Sequence, residues 1–327
     1  MAALPPPDLR DLDDAEIAAL CRDLGQPAFR ARQVLHWLYA ARVDAVAAMT
    51  NLPQEFRARL AERAGVSLPT VVRTQGAADH ARKFLLRLAD GHLIETVRIP
   101  ASPGLYGERA DRLTLCVSTQ VGCAYGCRFC ASGMAGFRRN LAPSEIVGQL
   151  LLAEREGKRR VNNLVFMGMG EPLANYANVL RALRILNAPW GIGLGARKVT
   201  LSTSGLAPEI ERLAAEDLQV RLAVSLHGAR DEVRDRIMPV NRRYPLARLM
   251  KACEVYQRVK GRMITFEYIL LADVNDAAED APRLAALARR ARAKVNLIPF
   301  NAVEGVGFRR PAEERCRRFA AAVARAG

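Results

Sequence analysis

Cys123, Cys127 and Cys130 stand in one twelve-residue stretch, Gly122 to Gly133, with C-x3-C-x2-C spacing. Three thiolates this close can converge on one soft metal centre. A cubane 4Fe-4S cluster normally takes four cysteines. With three, one iron keeps a position for a ligand that is not protein. In radical chemistry that ligand is S-adenosylmethionine, whose carbon–sulfur bond is broken by the cluster's electron. A zinc site is the alternative, because close cysteines in an intracellular chain also bind zinc. Zinc, however, asks for a second cysteine pair or a histidine pair. None accompanies these three, and His36, His80, His92 and His227 lie far away in sequence.

The other candidate residues cluster after short β-rich runs. Gly168-Met-Gly-Glu-Pro172 follows the run Asn163–Met167, and Ser202-Thr-Ser-Gly205 follows Lys198–Leu201. Ser225-Leu-His-Gly228 follows Arg221–Val224, and Pro299-Phe-Asn301 follows Val295–Ile298. The cysteine loop itself follows Leu113–Ser118, and a sixth run is Met263–Leu270. Helical stretches separate the runs, at about 144–156, 173–187, 208–216, 245–260 and 279–293, with a last one near 311–325. Strands alternating with helices pair in parallel through right-handed crossovers. Such sheets close or half-close into barrels, with chemistry at the C-terminal ends of the strands. The expected fold is therefore α/β, a partial (β/α)6 barrel. Any one of these motifs alone reads as an ordinary turn.

Before the barrel, residues 1–66 read as a small helical module. Asp13-Asp14 can cap a helix carrying Ile17, Leu20, Cys21 and Leu24. A second helix carries Val34, Leu35, Leu38 and Tyr39, and Pro53 is expected in the first turn of a third. Residues 67–110 read as a β-rich connector with strands over Ser67–Val72, Lys83–Leu88 and His92–Ile99, then a loop over Ala101–Arg109. Residues 111–327 form the barrel core.

The chain of 327 residues carries a formal net charge of +15 and is half hydrophobic. No apolar run approaches the ~20 residues that span a bilayer, and the N-terminus has no secretory signal pattern. Seven cysteines, an odd number, fit reduced thiols in a cytoplasmic protein. The excess charge points to nucleic acid. It is concentrated from Arg283 to Gly327, with eleven basic residues against three acidic. Aromatics make up only 6%, which disfavours a stacking platform for single strands.

The cysteine loop, Gly168-Met-Gly-Glu-Pro172, Leu201-Ser-Thr-Ser-Gly205, Ser225-Leu-His227 and Ile298-Pro-Phe-Asn301 together resemble the radical SAM RNA methylases of the RlmN/Cfr family. Gly25-Gln-Pro-Ala-Phe-Arg-Ala-Arg-Gln33, Trp37-Leu-Tyr39 and Met49-Thr-Asn-Leu-Pro53 resemble that family's opening domain. The resemblance covers nearly the whole chain. It implies that Cys123, Cys127 and Cys130 ligate a 4Fe-4S cluster. It implies that Gly170, Glu171, Ser202, Ser225, Leu226, His227 and Asn301 hold S-adenosylmethionine. Glu95 matches the family's proton acceptor, where alone it would read as the polar face of a strand. Cys116 matches the thiol that resolves a protein–RNA crosslink, where alone it would read as an inert buried cysteine.

The implied reaction is radical methylation of an adenosine ring carbon in structured RNA, 23S rRNA and, for the C2 methylases, tRNA. An electron donor for the cluster and a monomeric state are expected with it. The complete N-terminal module favours C2 over C8. The family's methyl-carrying cysteine lies beyond the last helix, in a segment resembling Asp-Ile-Asp-Ala-Ala-Cys-Gly-Gln-Leu. It has no counterpart among these 327 residues, and Cys253 and Cys316 both fall in helical stretches. The expectation is that residues 1–327 alone do not complete methyl transfer. Two other functions compete: cleavage of S-adenosylmethionine without methylation, and RNA binding around a structural metal.

Overall fold

The computed structural model describes residues 7–77, 80–102, 111–134 and 136–327. The loop expected over Ala101–Arg109 falls, from residue 103 onward, outside them. The chain forms two compact units: Met1–Thr119, Asn140–Gly168 and Ala177–Val199 make the first, and Gln120–Arg139, Met169–Tyr176 and Thr200–Gly327 the second.

In the first unit, α1 (Asp14–Asp23) starts at a reciprocal cap. Asp13 accepts from the Glu16 amide at 2.9 Å, and Glu16 accepts from the Asp13 amide at 2.8 Å. It buries Ile17 and Cys21. The second helix, α2 (Phe29–His36), widens into a π turn at Trp37–Ala41 and stops at Arg42, whose φ is 61°. The third, α3 (Gln54–Arg63), buries Phe56 and Leu60. Pro53 caps it from outside rather than sitting in its first turn.

Strands β1 (Thr70–Gln75), β2 (Arg82–Arg87) and β3 (Leu93–Pro100) form an antiparallel meander. The first strand begins later than expected because Ser67 is held by Asp8, which accepts from its amide at 2.6 Å and its hydroxyl at 2.8 Å. β3 pairs antiparallel with β4 (Leu113–Cys116), and β4 pairs parallel with β7 (Asn163–Phe166). Helix α4 (Pro143–Gly157), with proline at its first position, is buried along most of its length. Helix α5 (Tyr176–Asn187) follows a separate 3-10 turn at Pro172–Asn175. The single helix expected over 173–187 is divided because the Glu171 carboxylate caps that turn.

The second unit holds β8 (Val199–Thr203, all but its first residue), β9 (Arg221–Ser225), β10 (Ile264–Leu270) and β11 (Ala293–Pro299), each parallel to the next. Helices α6 (Ala207–Ala215), α8 (Leu246–Lys260) and α9 (Asp280–Arg290) cover them. The last helix, α10 (Glu313–Arg325), stacks Phe319 on Tyr268 with 5.7 Å between ring centroids. The expected parallel βα pattern is present. Elements not anticipated include helix α7 (Asp231–Ile237), a one-turn helix at Ala131–Met134, and the short hairpin of β5 (Gln120–Gly122) and β6 (Phe137–Asn140).

Candidate active site

The β5–β6 hairpin closes the cysteine loop at its base. Gly122 has φ +73°, and a Cβ there would lie 1.6 Å from the Gly136 carbonyl oxygen. Only glycine lets the two strands meet at that point. The Cys123 amide donates to that same carbonyl at 3.1 Å. Two further turns fold the loop back, Cys130 N–H to Cys127 O at 3.1 Å and Gly133 N–H to Cys130 O at 3.1 Å. All three thiols are free and partly exposed. Cys127 is pushed up to about 12 by burial and then by the Cys130 and Cys123 thiols beside it. Cys123 is raised by burial as well.

A thiol raised in this way by burial and by neighbouring thiols is relieved by a cationic centre, which binds it deprotonated. Among the described residues no three His, Cys, Asp or Glu side chains gather round one single-ion position. A cubane instead asks each cysteine for a different iron. A cleft of about 500 Å³, lined by Cys127, Arg128, Met134, Arg236 and the Gly305–Phe308 segment, opens beside the loop. The donor set, the glycine turns and this cleft fit a three-cysteine cluster.

The Gly168–Pro172 motif reaches the same unit at Met169. Gly170, with φ +99°, packs so closely on Gln120 that a Cβ would lie 2.5 Å from the Gln120 Cβ. Gln120 accepts from the Glu171 amide at 2.9 Å. The Glu171 carboxylate is turned inward and 3% exposed. Its oxygens accept from the Leu173 amide at 3.1 Å and the Ser204 amide at 2.6 Å. Burial raises its pKa. The side chain thus ties the glycine turn to the end of β8, where Ser202 is buried.

Ser225 ends β9, and Leu226 is wholly buried. His227 follows in the left-handed region at φ 52°. Its Nδ1 accepts from the Ile269 amide at 3.0 Å, and its carbonyl accepts from Asn275 at 2.7 Å. The ring stands edge-on to Phe129 of the cysteine loop at 4.9 Å. Burial, and then the Arg234 cation, bring its pKa down to about 3. The imidazole is therefore neutral, with its proton on Nε2. Asn301 follows β11, is exposed, and accepts from Arg310 at 3.0 Å through Oδ1.

Glu95 and Cys116 lie in the first unit. Cys116 pairs with Val97 across β3 and β4. Glu95 is two residues before Val97, so both site residues project from one face of the sheet. Thr96 donates to the Cys116 carbonyl at 2.6 Å, and Ser118 donates to the Glu95 carbonyl at 2.6 Å. Burial pushes the Cys116 thiol up to about 11, so it is protonated at neutral pH. The Glu95 carboxylate is half exposed and paired with Lys83 at 2.8 Å.

Sequence reasoning missed Gln149, whose amide brackets Ser118 through bonds of 2.8 Å to its N–H and 3.0 Å to its carbonyl. It also missed Gln120, Asn275 and Arg234. Each is a lone polar residue in an ordinary context, with no local spacing to mark it.

Residues 117–285 match the Radical SAM superfamily. Residues 7–66 match the Ribosomal RNA large subunit methyltransferase N-terminal domain. The "Probable dual-specificity RNA methyltransferase RlmN" of Akkermansia muciniphila is 50% identical over 96% of this chain and 87% of its own length. The "Dual-specificity RNA methyltransferase RlmN" of Anaeromyxobacter dehalogenans is 50% identical over 96% of this chain and 84% of its own. A crystal structure of a radical SAM methyltransferase from Sphaerobacter thermophilus superposes with a TM-score of 0.91 at 45% identity, covering 98% of this chain and 93% of that one. With a glycine-built three-cysteine loop beside ordered strand ends, and relatives this similar over nearly the whole chain, the protein belongs to the radical SAM superfamily and, within it, to the RlmN family of RNA methyltransferases.

Proposed function

We propose that the protein methylates C2 of an adenosine in structured RNA, 23S rRNA and tRNA, using S-adenosylmethionine and a 4Fe-4S cluster. The observation that carries this reading is the glycine-built cysteine loop, in the same compact unit as the Glu171–Ser204 strand ends. Cys123, Cys127 and Cys130 would hold the cluster, whose bound chemistry is reductive cleavage of S-adenosylmethionine to a carbon radical.

The remaining roles belong to the chain's own side chains. The Gly170–Glu171 turn offers main-chain carbonyls to the ammonium of the methionine portion. Ser202, Ser225, Leu226, His227 and Asn301 line the nucleoside portion, and the neutral His227 offers a donor at Nε2. Glu95, paired with Lys83, accepts the proton leaving the adenine ring. Cys116, a protonated thiol on the same sheet face, resolves the protein–RNA crosslink. Residues 1–66 serve as an RNA-binding accessory domain, 67–110 as a connector and 111–327 as the radical core. The basic residues after Arg283 support RNA as the partner. None of the described helices is long and apolar enough to cross a membrane, in keeping with a cytoplasmic monomer served by a small electron donor.

The test is anaerobic reconstitution with iron and sulfide, followed by reaction with S-adenosylmethionine, reductant and transcripts of 23S rRNA or tRNA. Nuclease digestion and mass spectrometry then read the products. Cluster uptake and 5′-deoxyadenosine are expected from residues 1–327, and 2-methyladenosine when the family's methyl-carrying cysteine segment is joined to them. Modification at C8 alone would overturn the C2 assignment, and 5′-deoxyadenosine without methylated RNA even with that segment joined would overturn the methylase reading.

A further inference from the structure

Arg234 lies on α7, outside every motif the sequence singles out, yet it is 0% exposed. Its guanidinium makes four hydrogen bonds. Nε donates to the Leu226 carbonyl at 3.0 Å, and Nη1 donates to Asn241 Oδ1 at 2.7 Å. Nη2 donates to the carbonyls of Ser204 at 2.5 Å and Ser225 at 3.3 Å. Three of the four acceptors are main-chain carbonyls at the ends of β8 and β9, where the cosubstrate residues sit.

All four acceptors are neutral. A buried cation with only neutral partners carries a desolvation penalty of several kcal/mol, and such groups persist where an anion compensates them. Asp231 and Asp235 do not touch the guanidinium; both accept from Asn241 Nδ2, at 2.9 and 2.7 Å. Burial lowers the Arg234 pKa to about 10, and the Cys127 thiol, ahead of Asp231, works against that shift. The backbone reinforces this link, because the Arg128 amide donates to the Ile237 carbonyl at the end of α7 at 3.0 Å. The surrounding wall is cut to fit the arginine. A Cβ on Gly205 would lie 3.0 Å from Nη2, and one on Gly228 would lie 3.1 Å from the Arg234 Cβ.

We propose that Arg234 is a positioning residue with an added electrostatic role: its fork fixes the strand-end carbonyls of the cosubstrate pocket, and its charge is the buried counter-charge of the cluster held through Cys127. A cubane on three thiolates is an anion, and it gains one more negative charge on reduction. A fixed cation nearby therefore favours the reduced form and raises the reduction potential. A residue with only a packing role would leave that potential unchanged. The inference rests on the reading that the loop carries a cluster and the strand ends carry S-adenosylmethionine.

The experiment compares the reconstituted 327-residue protein with Arg234→Lys and Arg234→Gln. Iron content, the midpoint potential from an EPR-monitored titration, and the S-adenosylmethionine dissociation constant from equilibrium dialysis are measured for each. The lysine variant keeps the charge and loses the fork. It is expected to hold the wild-type potential while binding S-adenosylmethionine about tenfold more weakly. The glutamine variant is expected to bind as weakly and to show a more negative potential. Loading of the lysine variant but not the glutamine variant would also support the counter-charge. Equal potentials in all three proteins, or a lysine variant that fails to load, would overturn the proposal. Wild-type protein that takes up no iron would instead overturn the cluster reading beneath it.

Discussion

The cysteine loop and the strand ends near it belong to one compact unit but are built on opposite principles. The loop is shaped by glycines and main-chain turns, and its three thiols remain partly exposed. The strand ends are fixed by buried polar side chains: Glu171 on two amides, Asn275 on the His227 carbonyl, and Arg234 on three carbonyls. The loop is thus completed by the group it holds, as metal sites commonly are. The strand ends are ordered before any ligand arrives, which lowers the entropic cost of binding.

Removing a thiol breaks the comparison most severely. Cys127→Ala is expected to lose the cluster entirely, read as iron per chain, while far-UV circular dichroism stays unchanged because no strand-end bond depends on the thiol. Next comes Gly122→Ala. The added methyl meets the Gly136 carbonyl at a position that already requires positive φ. The hairpin must open, at a cost of about 3 kcal/mol, visible in urea unfolding and as reduced cluster uptake.

His227 sharpens the comparison through pH. Its folded pKa, about 3, lies below the ordinary 6.5. The native state therefore binds fewer protons than the unfolded one. Its contribution is intact above pH 6.5 and is lost as pH falls toward 3. From pH 7 to pH 5 the loss is about 2 kcal/mol. Urea titrations should show this in the wild type but not in His227→Asn, since asparagine tolerates the left-handed backbone and offers an acceptor to Ile269. The smallest effect on stability is expected at Glu95, outside both regions. Its pair with Lys83 is half exposed, so Glu95→Gln should change unfolding free energy by no more than about 0.5 kcal/mol. RNA methylation, measured with the family's methyl-carrying segment joined to the chain, should nevertheless fall sharply, with S-adenosylmethionine cleavage retained. Loss of cleavage as well would remove Glu95 from the proton-acceptor role.

The residues most legible in sequence were those whose chemistry depends on local spacing. The C-x3-C-x2-C loop and the glycine and serine motifs after strands are short-range patterns, and the βα alternation that carries them is local as well. Strand limits moved by a few residues where a distant side chain intervened, as Asp8 does at Ser67. The β5–β6 hairpin escaped notice because its strands are three and four residues long and carry no alternation; Gly122 and Gly136 were its only trace.

Sequence by itself determined the three-thiol C-x3-C-x2-C loop, the parallel βα order and the basic character of the chain. These follow from residue type and near-neighbour spacing. Only the tertiary structure decided that Glu95 and Cys116 share a sheet face, because register sets Cys116 opposite Val97, two residues along the strand from Glu95. It alone turned the Glu171 carboxylate inward, held His227 neutral and buried Arg234 beneath two strand ends. Burial and long-range hydrogen bonding are properties of the packed chain, and an arginine in a helical stretch reads the same whether it faces water or a cluster loop.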